Sequence, residues 1–177
     1  MSANWDYKTR VELFNASVGQ YVSDEVFGWL EKNGFFTQAA STKFHGSYDG
    51  GLFDHSFMVM LHLVNLTQDN NLVWQNERSP YIVGMFHDLC KIDQYRKTGE
   101  GYVFVRDTPL MGHGNKSVTL LSTIMDLTEE ERLCIRFHMG AFAGKEEWPM
   151  YTDAIHKYKN VLWTHQADMM AAHIDCV

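Results

Sequence analysis

Apolar residues recur every third or fourth position along almost the whole chain, and the strict alternation of a half-buried strand is nearly absent. This predicts helices joined by short loops. Tyr7 to Val18 reads as a first helix, and Ser23-Asp24-Glu25 opens a second that carries Val26, Phe27, Trp29 and Leu30 and stops at Asn33-Gly34. The Gly/Ser/Asp-rich stretch "STKFHGSYDGG" then leads into a long amphipathic helix from about Leu52 to Gln68. Ser79-Pro80 reads as an N-cap and first helical residue for the run "YIVGMFHDLCK". Only "DQYRKTGEGYVFVRD" has strand character, with Tyr102 to Val105 β-prone and Thr98-Gly99-Glu100-Gly101 as the turn. Helices resume from about His113 to Met125, after "DTPLMGHGN". Thr128 with Glu131 makes a capping box for a helix running to His138, and a last long helix is expected from Tyr151 to His173, after "GAFAGKEEWP".

The expected fold class is all-α, a helical bundle with one small β-hairpin at its rim. A chain of 177 residues, 45% of them hydrophobic, suffices for one core and not for two. We expect a single domain over 1–177, with N-terminal helices (1–42) packed on a core formed by 43–177. No run of about twenty apolar residues suggests a membrane span, and "MSANWDYKTR" lacks the order of a signal peptide, so a soluble, cytoplasmic protein is expected. Cys90, Cys134 and Cys176 form no CxxC pair and read as reduced thiols. A net charge of −7 argues against bulk nucleic-acid binding, since a phosphate backbone rewards a basic surface.

Nine histidines change the picture. His87 and Asp88 close a strongly apolar run. Neighbours on a helix point about 100° apart, so both can reach one centre only at a helix end, and a cation there removes the cost of a buried carboxylate.

The order His55, His87-Asp88 with Lys91 close behind, His113, His138 and Asp168 resembles the HD-domain superfamily of metal-dependent phosphohydrolases. "FHGSYDGGLFDHS" is similar to the Gly-Gly-Leu-x-x-His segment of the HD domain in a family of 3′-5′ exoribonucleases and their single-domain relatives. "FHDLCK" stands where that group has His-Asp-Ile-Gly-Lys, "GHG" for its Gly-His, "FHMG" for its His-His-Gly, and "HQADMMAAHI" for its closing Ala-Asp helix. The likeness runs from about Lys43 to the end. It implies that His55, His87, Asp88 and Asp168 bind one metal and that Asp88, His113 and His138 hold a second, Asp88 bridging. Lys91 would meet the substrate phosphate, so Asp88 and Lys91 are the expected catalytic residues. Mixed imidazole and carboxylate ligands suit Mn, Fe, Co, Ni or Zn better than Mg or Ca, so one or two divalent transition metals are the expected cofactors.

Two positions depart from the pattern. Cys90 replaces a glycine, read as a change of helix-end packing and not of ligands, and Met139 replaces the second His of His-His-Gly. The residues before Lys43 read as helices and not as the OB module that precedes the catalytic domain in the exoribonucleases. A small phosphorylated substrate, a nucleotide or a short oligonucleotide, is therefore the expected partner. Lys43, His45, Trp148 and Tyr151, with Lys91, are the candidate substrate-binding residues: the first two lie in the glycine-rich loop, and the aromatics follow His138 where a base could stack. Phe142 is a third aromatic of that segment, and Lys116 a weaker counterpart of Lys91. His62 reads as a helix-face core histidine, His165 as a support for Asp168, and His156 and His173 as surface or packing residues. The alternatives are a mixed-valence di-iron oxygenase on the same six ligands, and a non-catalytic binding module. The aromatic rim and Lys91 favour the phosphoester over the first, and the full ligand set disfavours the second.

Overall fold

The computed structural model of the chain describes residues 4–105, 112–142 and 144–177. Its elements run α1 (Tyr7–Ser17), α2 (Asp24–Lys32), α3 (Gly51–Asp69), α4 (Ser79–Phe86), β1 (Tyr95–Thr98), β2 (Gly101–Phe104), α5 (His113–Ser122), α6 (Glu129–Arg136), α7 (Trp148–Lys157) and α8 (Asn160–Met170). A π-helical turn, Ala171–Asp175, continues α8. The architecture is thus mostly α with one small antiparallel hairpin, as the pattern predicts. The loop expected over 107–111 lies outside the described residues.

The caps follow from local chemistry. Asp6 accepts from the Thr9 N–H at 2.7 Å, Ser23 accepts from Val26, and Thr128 and Glu131 satisfy each other's backbone as a capping box. Two expectations need correction. Ser79 is the first residue of α4 and not its cap; its hydroxyl donates instead to buried Glu131 at 3.0 Å, tying α4 to α6. The last long helix is two helices, broken where Tyr158 turns extended (φ −134°, ψ 103°). Beside the break, the Tyr158 hydroxyl donates to Glu129 at 2.8 Å, and the Asn160 amide donates to Glu130 and to the Val73 carbonyl at 2.8 and 2.9 Å. These long-range polar anchors outcompete helix continuation.

The helix α3 lies at the centre and packs most extensively on α4, then on α8. Its Leu52, Phe53, Met60 and Leu63 join Phe14 of α1, Leu30 of α2, and Ile82 and Phe86 of α4 in one buried apolar cluster. Each such side chain contributes roughly 1.5–3 kcal/mol on burial, so the first two helices are part of the same core. Close approach depends on two glycines. A Cβ on Gly84 would lie 2.4 Å from the Met60 Cα, and one on Gly114 would lie 2.0 Å from the Arg136 carbonyl oxygen. Bare backbone therefore lets α4 seat on α3, and α5 on the end of α6.

A buried ion pair adds a polar weld. Arg10 of α1 donates from Nε and Nη2 to the two carboxylate oxygens of Asp54, at 2.7 and 3.0 Å. Burial raises the Asp54 carboxyl above its ordinary range, and Arg10 and the Tyr48 hydroxyl counter it only in part. The hairpin sits outside, paired Tyr95 to Phe104 through Thr98 to Gly101, with Lys97 and Tyr102 both held by Asp49. No helix among the described residues is long and apolar enough to cross a membrane.

Candidate metal centre

The helix α4 stops at Phe86, and the chain leaves it through Asp88 (φ −105°, ψ 21°) into a short 3-10 turn, Leu89–Asp93. That break lets consecutive residues His87 and Asp88 face the same point, which a continuing helix would forbid. His55 enters from the second turn of α3, Asp168 from α8, and His138 from just beyond the end of α6. All five are buried.

Their reactive atoms converge. His55 Nε2 lies 3.1 Å from Asp168 Oδ1 and 3.8 Å from Asp88 Oδ2. His87 Nε2 lies 3.5 Å from Asp88 Oδ2 and 3.8 Å from Asp168 Oδ1, and His138 Nε2 lies 3.4 Å from Asp88 Oδ1. Ligand atoms of His55, His87 and Asp88 all fall within 4.8 Å of one another, as do those of His87, His138 and Asp168. The cluster could therefore hold a metal ion.

The orientation of the rings is more telling than their proximity. His55 Nδ1 meets a main-chain oxygen of Val177 at 2.9 Å, His87 Nδ1 the Gly84 carbonyl at 2.8 Å, and His138 Nδ1 the Ile135 carbonyl at 2.7 Å. Such an oxygen only accepts, so each Nδ1 carries a proton, which leaves Nε2 as the atom that can offer a lone pair to the centre. None of the three Nε2 atoms, nor Asp88 Oδ1, makes a hydrogen bond of acceptable geometry among the described residues, and all four are buried. Lone pairs aimed at carboxylates in a dry interior are costly unless a cation or proton lies between them. The donor set, neutral imidazole and carboxylate with each ring steadied from behind, fits a divalent transition metal.

Electrostatics agree. Burial would raise Asp88, but the Lys91 ammonium, 2.6 Å away, together with His87 and His138 outweighs it and holds the carboxyl well below its usual range. For Asp168 burial is likewise outweighed, by the His55 contact and the neighbouring imidazoles, and the carboxyl is depressed. Burial lowers His87 to about 4. At His138 burial is overcome by the adjoining Asp88 carboxylate, and its pKa is raised. Two depressed carboxylates thus face a single ammonium at the centre.

The remaining candidates are placed unequally. His113 opens α5 with Nδ1 3.6 Å from Cys90 Sγ, and Asp88, Cys90 and His113 form a third group with ligand atoms within 4.8 Å. Cys90 is thus a potential ligand that the sequence did not reveal, because reading it against a glycine position suggested packing alone. The His45 ring stands 4.8 Å from that of His55, with burial lowering its pKa to about 4. Lys91 is buried and paired with Asp88, and so faces the centre from within it. Lys43 is exposed, Trp148 is 46% exposed at the start of α7, and Tyr151 leans on Phe137, next to His138. Lys116 is committed to Asp93, and His62 to Asp175. His165 supports a different residue from the one expected: its Nδ1 meets the His138 carbonyl at 2.8 Å. His156 and His173 are exposed. A cleft of about 200 Å³ opens beside the cluster, lined by His113, Asn115, Arg136, Met139, Phe142 and Glu147. Compared with known proteins, the chain matches no family model, no curated protein and no solved structure.

Proposed function

We propose that this chain is a metal-dependent phosphohydrolase of the HD type that cleaves a phosphate ester of a nucleotide or short oligonucleotide. The observation that carries the reading is the set of three imidazoles, each tethered through Nδ1 to a main-chain oxygen and each turning toward Asp88 or Asp168 an Nε2 with no hydrogen-bond partner among the described residues. His55, His87, Asp88 and Asp168 would hold one cation, with Asp88, His113 and His138 toward a second. When bound, such cations supply Lewis acidity toward a phosphoryl oxygen and lower the pKa of water to about 7.

The chain's own groups complete the chemistry. Lys91 stays protonated, because the Asp88 carboxylate outweighs the burial that would otherwise discharge it. With Asp88 engaged by metal, the Lys91 ammonium would be free to meet a phosphate oxygen beside the cations. Asp88 and Asp168 remain ionised through the neutral range and so stay available as ligands without prior deprotonation. A substrate would enter by the cleft that His113 lines, where Phe142, 68% exposed, would offer a face for a base.

The test is metal analysis of protein purified without chelator, followed by a manganese-supplemented screen of mono-, tri- and cyclic nucleotides beside Asp88→Ala. Bound metal and phosphate release, both lost in the variant, are expected. Turnover that survives Asp88→Ala would place the chemistry elsewhere. Turnover that requires dioxygen would point to an oxygenase, and stable metal without turnover to a binding module.

A further inference from the structure

We propose that Cys90 is a metal ligand. With Asp88 and His113 it forms a thiolate-containing position that selects Zn(II), Co(II) or Fe(II) over Mn(II). This deepens the reading of a metal centre given above and rests on it.

A buried cysteine usually behaves as a small hydrophobe, and Cys134 does so here, lying within the main apolar cluster. Cys90 is equally buried but stands outside that cluster. Burial pushes its thiol up to about 12, so without a metal it stays protonated, yet polar and charged groups (Asp88, Lys91, Lys116 and Ser117) stand around the sulfur. Its Sγ lies 3.6 Å from His113 Nδ1, and one ligand atom from each of Asp88, Cys90 and His113 falls within a 4.8 Å sphere of the others. Asp88 also brings a buried oxygen, Oδ1, with no hydrogen-bond partner among the described residues.

The backbone fixes this arrangement. Ser117 Oγ accepts from the Cys90 N–H at 3.0 Å, and Ser117 lies one turn after His113 on α5. One helix thus supplies the imidazole and latches the residue that carries the sulfur. On binding, the thiol proton leaves to solvent as the sulfur–metal bond forms. Thiolate ligands favour the softer first-row cations, and Asp88 shared between this position and the His55/His87 group would couple the two.

The experiment is a Co(II) titration of metal-stripped protein in a Cys176→Ser background, which removes the exposed thiol. Visible ligand-field bands together with a near-ultraviolet sulfur-to-cobalt charge-transfer band are expected. Cys90→Ser in the same background should keep ligand-field bands and lose the charge-transfer band. Its cobalt affinity at that position should fall at least as far as loss of an outer-shell partner costs, about 10- to 100-fold. Circular dichroism checks that the variant is folded, and the charge-transfer band of the Cys176→Ser parent decides the matter even if it is not. Ligand-field bands without charge transfer in that parent overturn the role of Cys90 and leave the metal centre standing. No cobalt bands at all overturn both.

Discussion

Replacing Arg10 tests whether the N-terminal helix supports the fold under the candidate centre. Arg10 and Asp54 are 5% and 0% exposed and share two hydrogen bonds of 2.7 and 3.0 Å. Arg10→Ala strands a carboxylate in the core, and removing one partner of a buried pair costs about 3–5 kcal/mol. Asp54 keeps its hydrogen bond from Tyr48, so the lower end applies, about 3 kcal/mol. For a chain of this size that lowers Tm by roughly 6–12 °C. The pH dependence follows from the raised pKa of Asp54. The folded state holds that proton more tightly than the unfolded state, so acidification through the folded pKa favours the fold. The gain is larger in the variant, where the lowering by Arg10 is gone. Its deficit should therefore shrink as pH falls from neutral toward the raised range of the Asp54 carboxyl. The double variant Arg10→Met/Asp54→Leu removes both charges and should recover most of the loss. Thermal and urea unfolding in the presence of chelator compare the parent with both variants. A single-variant cost below about 1 kcal/mol, with no change in pH dependence, would refute the weld.

Other outcomes are as definite. Gly84→Ala places a Cβ against the Met60 backbone and should cost about 1–3 kcal/mol as α3 and α4 part; urea unfolding reads the cost, and isothermal titration should show weaker metal binding because the Gly84 carbonyl steadies His87. A divalent metal at a hundred times its Kd should stabilise the protein by about 2.7 kcal/mol, reversed by chelator and absent in Asp88→Ala in thermal-shift assays. Metal affinity should begin to fall as pH drops into the range of His138, whose pKa is raised, and fall again toward about 4, where His87 protonates; titration calorimetry across pH checks the order. Deleting Val177 should lower metal affinity about 10- to 100-fold, as loss of an outer-shell partner does, whereas Val177→Ala should change it little.

Much of this was legible in the sequence because the signals were local. Helical periodicity, the Thr128/Glu131 box and the Thr98–Gly101 turn each lie within a few residues of what they specify. The grouping of His55, His87, Asp88, His138 and Asp168 was expected only through the resemblance to the HD-domain superfamily; their spacing alone does not imply it. What escaped was long-range. No breaker residue marks Tyr158, where contacts to Glu129 and Glu130 end the helix. Ser79 has the sequence of a cap, but the buried Glu131 carboxylate claims its hydroxyl. His165 lies three residues before Asp168, which suggested support for that carboxylate, while the fold presents it to the His138 carbonyl. Cys90 reads as a packing change until α5 brings His113 alongside it.

All three inward-facing imidazoles are aimed by main-chain oxygens, those of Gly84, Ile135 and Val177. Every amino acid carries such an oxygen, so no side-chain replacement at those positions deletes the anchor; only a shift in chain path can. Drift in residue identity is therefore cheap at Ile135 and Val177, though not at Gly84, where any Cβ meets the Met60 backbone, while insertions and deletions between anchor and ring are costly. Variation in this protein should accumulate as substitutions, with the number of residues from Gly84 to His87 and from Ile135 to His138 held constant.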